Sequence, residues 1–198
     1  MRPLCRYAIA LSIVVSMLSG CAPHEFDIEQ LKERLPPRAA ELDRLDMLAG
    51  RWETEGTVRF IGAKDPITTR GTSEAQWECD RRFLVDRSSY DMGPLGPMGG
   101  ISVWGWDPQR RRYLMSWFDG FGESASGWAR FDESTRTWRI ETRGRSTLCH
   151  VVNHGTIRMI DDDTLEWTWT QWDAWHILKY AEMKGASRRA PGGAATSP

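Results

Sequence analysis

Long apolar runs are missing from this chain. The longest, residues 7–18, falls short of the roughly 20 residues that a membrane-spanning helix needs. Neither sign of charge prevails, with 26 Lys and Arg against 27 Asp and Glu, so there is no basic excess to bind nucleic acid. The clusters Arg110-Arg111-Arg112 and Arg188-Arg189 are short and read as a solvated turn flank and a tail. No phosphate-cradling glycine loop, serine elbow or paired-carboxylate motif occurs. The acids Glu53, Glu55, Glu74, Glu78, Asp86, Asp91, Asp119, Glu123 and Glu166 mostly alternate with apolar neighbours in a way that sends them outward. No enzyme is expected, and no cofactor. Histidine is scarce, at four residues. Cys149, His150 and His154 suggest a metal site, but Val151, Val152, Thr156 and Ile157 make their segment a strand. Side chains four apart on a strand lie about 13 Å from each other, whereas zinc bonds nitrogen at about 2 Å. No metal is expected there, and no internal repeat is found.

What is present begins at the N-terminus. Arg2 and Arg6 precede the apolar run, and small residues follow it, which is the layout of a signal peptide over residues 1–20. Its removal takes away two arginines and no acid, leaving the chain weakly acidic. Leu18-Ser19-Gly20-Cys21 resembles the bacterial lipobox. That resemblance implies acylation of Cys21, a tether over 21–40 and a membrane partner reached through acyl chains. Ala22, by similarity to enterobacterial sorting, implies the periplasmic face of the outer membrane. With Cys5 leaving and Cys21 acylated, Cys79 and Cys149 remain in an oxidising space. A disulfide closing that loop contributes about 4 kcal/mol on chain entropy; two buried free thiols are the other reading.

The remainder is rich in tryptophan, eleven in 198 residues, and 40% hydrophobic, enough for one sizeable core. A short helix follows Pro37, with Leu42, Leu45 and Leu48 on one face and Gly50 ending it. From Arg51 the period becomes two: Trp52, Thr54, Gly56, Val58 and Phe60 face one way. Strands are expected over 51–60, 72–79, 82–92, 101–107, 112–119, 124–131, 137–143, 147–160, 164–173 and 175–183. Residues 91–100, dense in Gly and Pro, are expected to form a loop, and 185–198 a disordered tail. Asp107-Pro108-Gln109-Arg110 is a hairpin turn, since Pro presets its backbone and Asp bonds back to it. Nine to ten short strands joined by sequential hairpins predict an antiparallel up-and-down β-barrel over 41–184.

Gly50-Arg51-Trp52 resembles the Gly-x-Trp that opens lipocalin and other calycin barrels. A longer match is carried by residues 45–56 (LDMLAGRWETEG), Arg82-Phe83-Leu84, Gly99-Gly100, Gly105-Trp106-Asp107, Arg112-Tyr113, Ser116-Trp117-Phe118-Asp119 and Gly127. In order and spacing these are similar to the bacterial domain of unknown function 1579, although Trp106 stands where Tyr is usual. The resemblance implies a lipocalin-like barrel and no activity.

Such barrels enclose room for one small ligand. The inward aromatics Trp52, Phe60, Trp104, Trp106, Trp117, Trp167 and Trp169 are the candidate wall of a pocket for a small apolar or amphipathic molecule, with 91–100 as its gate. The same rings could instead fill the interior and leave a structural or interaction lipoprotein. Nitrobindins, barrels with a similar Gly-x-Trp opening, bind haem through a late histidine. That resemblance implies His176, beside Leu178 and Tyr180, as an alternative haem ligand, whereas a lone histidine on an apolar strand is more often a hydrogen-bonded core residue.

Overall fold

Leucines three apart open the folded part of the chain, and a spacing of three fits a 3₁₀ helix, which has three residues per turn. Ala40–Leu48 adopts that helix and buries Leu42, Leu45 and Leu48 on one side. The computed structural model describes residues 28–29, 35–147 and 149–191. Cys21 and the expected signal peptide lie outside the described residues. Contacts divide the chain into two units, Met1–Pro37 and Arg38–Pro198, and the second holds all ten strands.

These are β1 (Gly50–Phe60), β2 (Ile67–Glu78), β3 (Phe83–Asp91), β4 (Pro97–Asp107), β5 (Arg112–Asp119), β6 (Ser124–Asp132), β7 (Thr137–Arg145), β8 (His150–Met159), β9 (Thr164–Asp173) and β10 (Lys179–Arg189). Each pairs antiparallel with the next, and β1 pairs with β10 from Trp52↔Arg189 to Phe60↔Ala181, which closes the barrel. Five strands, β3, β4, β5, β6 and β9, end on an aspartate whose Oδ1 accepts backbone N–H groups of the following turn. Such a side chain imitates a backbone carbonyl and folds the turn locally. The hairpin expected at Asp107 is one of the five.

One end of the barrel is plugged. The leucine face of the 3₁₀ helix packs with Trp52, Trp104, Tyr113 and Trp138 into the main core. Trp138, fully buried, meets Tyr113 at 4.6 Å, Phe131 at 4.8 Å and Trp104 at 5.7 Å between ring centroids. Hydrogen bonds fix the plug: Trp52 Nε1 donates to Leu48 O at 3.0 Å, and Tyr113 Oη to Glu41 O at 2.7 Å. Arg189 donates to Ala49 O at 2.6 Å while its guanidinium lies 4.3 Å from the centre of the Trp52 ring.

Three expectations change. The loop expected over 91–100 shrinks to residues 92–96, a 3₁₀ turn at Gly93–Leu95, because β4 already pairs with β3 from Pro97. The supposed tail from 185 is strand as far as Arg189, and residues 192–198 lie outside the described residues. Cys79 and Cys149 form no disulfide: both are free, Cys79 exposed in the β2–β3 turn at the plugged end and Cys149 half-buried just before β8 at the other. The barrel's own length separates them. The reading of two buried thiols also gives way, since Cys79 is exposed.

Candidate functional site

Above the plug the barrel is hollow. A cavity of about 320 Å³ runs from Leu48, Trp52, Trp104 and Met115 up to a mouth at Phe60, Met92, Met98 and Phe121. Glycine explains why so many large rings leave space. A Cβ on Gly155 would lie 2.1 Å from the Trp169 ring, one on Gly185 2.5 Å from Trp167, one on Gly100 2.5 Å from Trp117, and one on Gly71 2.4 Å from Tyr90. Each ring therefore occupies the space over the bare backbone of a neighbouring strand that a side chain would otherwise fill. The alternating pattern supplies both halves of each pair, since Gly155↔Trp169 and Gly185↔Trp167 are cross-strand partners on the inner face.

Six of the seven candidate wall aromatics, Trp52, Phe60, Trp104, Trp117, Trp167 and Trp169, lie on the cavity. Trp106 does not. It stacks edge-on against Tyr113 at 4.8 Å beside the plug, one step too far along β4 to reach the lumen.

Polar groups also face inward, and here the outward placement of the acids needs correction. Asp86, Asp119 and Glu123 line the cavity, with Arg145 the one basic residue among the described lining residues. On β3 the inner face is Leu84, Asp86, Ser88 and Tyr90, while the more apolar Phe83 is exposed outside, where it covers Gly105. Burial pushes the Asp86 carboxyl above its ordinary range, an effect opposed by hydrogen bonds from Ser73 and Ser102. Tyr90 is pushed up to about 12, first by burial and then by the nearby Asp86 charge, against a hydrogen bond with Ser88. Glu123 is likewise raised by burial, in part offset by a hydrogen bond from Gln171 Nε2 at 3.2 Å.

Two cavity residues carry buried oxygens without a partner, Asp86 Oδ1 and Asn153 Oδ1. Asn153 is 4% exposed and donates through Nδ2 to Thr142 Oγ1 at 3.2 Å. Turning its amide over would only exchange which atom is orphaned. Neither residue stands out in the sequence; the period-two register of β3 and β8 is the signal that places them inside.

His176 is not an internal haem ligand. It lies in the β9–β10 turn with φ 58°, ahead of the first residue of β10, and is exposed. Its Nε2 sits 3.0 Å from Nε2 of His154 on the outer face of β8. The inward residues of β10 are Ala181, Met183, Gly185 and Ser187, so the expected histidine ligation of haem has no counterpart on this strand. Among the described residues no group of three or more His, Cys, Asp or Glu is placed to hold a metal ion.

The turns around the mouth carry exposed apolar side chains: Ile61, Leu95, Phe121, Ile177 and Trp175, the last 79% exposed.

A closed antiparallel barrel, plugged at one end and hollow at the other, is the architecture of lipocalin-like proteins. The chain belongs to the family described as "Protein of unknown function (DUF1579)", whose model matches residues 38–176. Among solved structures it is similar in fold to Rv2717c from M. tuberculosis, with a TM-score of 0.61 and 13% identity over 78% of this chain and 99% of that one. It is also similar to the S-type phycobiliprotein lyase CPES from Guillardia theta, with a TM-score of 0.53 and 11% identity over 83% of this chain and 98% of that one. Comparison with curated proteins gave no match.

Proposed function

We propose that this protein is an envelope lipoprotein, anchored through an acylated Cys21, whose barrel carries a small apolar or amphipathic molecule. The observation that carries the binding reading is the cavity of about 320 Å³, which falls at the small end of the range for ligand sites. Its walls are predominantly apolar rings with a few polar groups, the composition expected of such a site. The lipobox-like Leu18-Ser19-Gly20-Cys21 supports the anchor and the periplasmic address. Among the described residues no helix is long and apolar enough to cross a membrane.

The experiment is solvent extraction of the full-length protein purified from its native membrane, followed by mass spectrometry, with titration of N-phenyl-1-naphthylamine as a neutral fluorescent probe. The expected result is a co-purifying small molecule and saturable probe binding that the extract displaces. Absence of both overturns the reading. Radiolabelled palmitate incorporated in the parent and lost in Cys21→Ser tests the anchor.

The apolar rim of the mouth favours a second reading, in which the barrel docks its open end on a lipid surface. Co-sedimentation with vesicles of phosphatidylethanolamine and phosphatidylglycerol, lost in the Trp175→Ser, Ile177→Ser double variant, would favour it.

A further inference from the structure

The cavity is chemically lopsided. Its walls are aromatic, yet among the described lining residues three carboxyl groups face it and the one basic residue, Arg145, is exposed at the mouth. Two of the three acids are engaged locally. Asp119 accepts from Trp117 Nε1 through one oxygen and from the backbone of its own turn through the other, and Glu123 accepts from Gln171. Asp86 differs. It sits midway along β3 and one of its oxygens has no partner.

The groups around Asp86 dictate which form of the carboxyl they suit. Trp104 Nε1 can only donate, and it donates to Ser102 Oγ at 3.3 Å. The Ser102 oxygen is thereby used as an acceptor, and its proton is directed to Asp86. Ser73 supplies a second hydroxyl. The surroundings thus offer donors to the carboxyl, as a carboxylate requires, but provide no counter-charge. A buried carboxylate without a cation is costly, and a cation from outside relieves that cost. The faces of Trp104 and Trp117 are suited to the same guest, since aromatic faces attract cations.

A second, independent feature fixes the other end of the guest. Asn153, on β8, is 4% exposed, faces the same cavity and has an unpartnered amide atom. In a ring of ten strands β3 and β8 are five apart in either direction, so Asp86 and Asn153 face each other from opposite walls.

Resting on the reading of the barrel as a carrier, we propose that its ligand is an organic cation: a protonated amine on a flat apolar body, with the ammonium at Asp86 and a hydrogen-bonding group at the far end for Asn153. Hydroxyls and backbone groups bind neutral lipids in many pockets. A half-buried carboxylate whose inner oxygen is fully buried and unpartnered, with no cation of its own, selects against anions, fatty acids included.

The test compares probes that share one body, 4-phenylbutylamine, 4-phenylbutanol and 4-phenylbutyrate, by displacement of N-phenyl-1-naphthylamine from the full-length protein. The amine is expected to bind about tenfold or more tightly than the alcohol, the gain of a hydrogen bond to a charged group, and the carboxylate more weakly than either. In Asp86→Asn the amine-to-alcohol ratio is expected to fall to about one. Equal binding of amine and alcohol by the parent, or tighter binding of the carboxylate, overturns the cation assignment while leaving the carrier reading intact. Failure of N-phenyl-1-naphthylamine and of 4-phenylbutylamine to bind, together with the absence of a co-purifying molecule, overturns both. The parent protein alone decides the matter if the variant does not fold.

Discussion

Trp138 combines full burial with an indole N–H that has no partner. Its ring closes the floor of the barrel against three others, so Trp138→Ala should destabilise by about 3–5 kcal/mol. Trp138→Phe keeps most of the ring contact and removes an orphaned donor whose burial costs about 1–3 kcal/mol. It should therefore lose less than half as much, as urea unfolding of the two variants will show. Asp86 permits a prediction with a definite sign. Its carboxyl holds a proton more tightly in the folded protein than the roughly 3.9 of an unfolded aspartate. That contribution is complete below the unfolded value and is lost as pH rises through the folded value. Asp86→Asn cannot ionise, so its stability relative to the parent should improve between pH 4 and pH 7. Urea midpoints measured across that interval check it. The groups facing Asp86, namely Ser73, Ser102, Trp104 and Tyr90, are not charged in that range. Glu123, also raised, is present in both proteins, as are the lowered Glu74, Asp107, Asp132 and Glu182, so their effects cancel in the comparison.

Among the strands, the pairing of a ring with a bare glycine sets how wide the lumen is. Gly155→Ala would push the Trp169 ring inward; a loss of about 1–3 kcal/mol is expected, together with weaker binding of N-phenyl-1-naphthylamine. Gly99, where a Cβ would meet nothing nearer than 3.9 Å, is the control: Gly99→Ala should change stability by under about 0.5 kcal/mol. Thermal melts of the two variants separate these outcomes. The same pairs explain what the sequence could and could not reveal. Alternation alone places Trp52 and Val58 on the inner face of β1, and Trp167 and Trp169 on that of β9, because each strand carries its own period. It fails where a residue answers to a different strand. Gly185-Ala186-Ser187 looks like a flexible tail until Trp167 of β9 is seen to need the space over Gly185. Gly99-Gly100 looks like a loop until Trp117 of β5 is laid over Gly100. Asp86 is hidden by its apolar outward neighbours Phe83 and Val85, and the meeting of His154 with His176 depends on how the β9–β10 turn folds back over β8. Family resemblance and the turn at Asp107 were legible because both are written in contiguous residues.

For the whole molecule, β1 and β10 are hydrogen-bonded neighbours, and Ala190 N still donates to Arg51 O at 2.9 Å just past the last strand. The order in which strands occur along the chain is therefore incidental to the ring they form. A circular permutant should exploit this. Residue 191 would be joined to residue 38 by a short Gly/Ser linker, and the chain reopened between Lys64 and Asp65, two exposed residues between β1 and β2. It would begin with β2 and end with β1, yet should give the parent's near-ultraviolet circular dichroism and probe affinity, with new ends beside the mouth. Those ends provide attachment points for a reporter at the entrance to the cavity, far from the plug that holds the barrel shut.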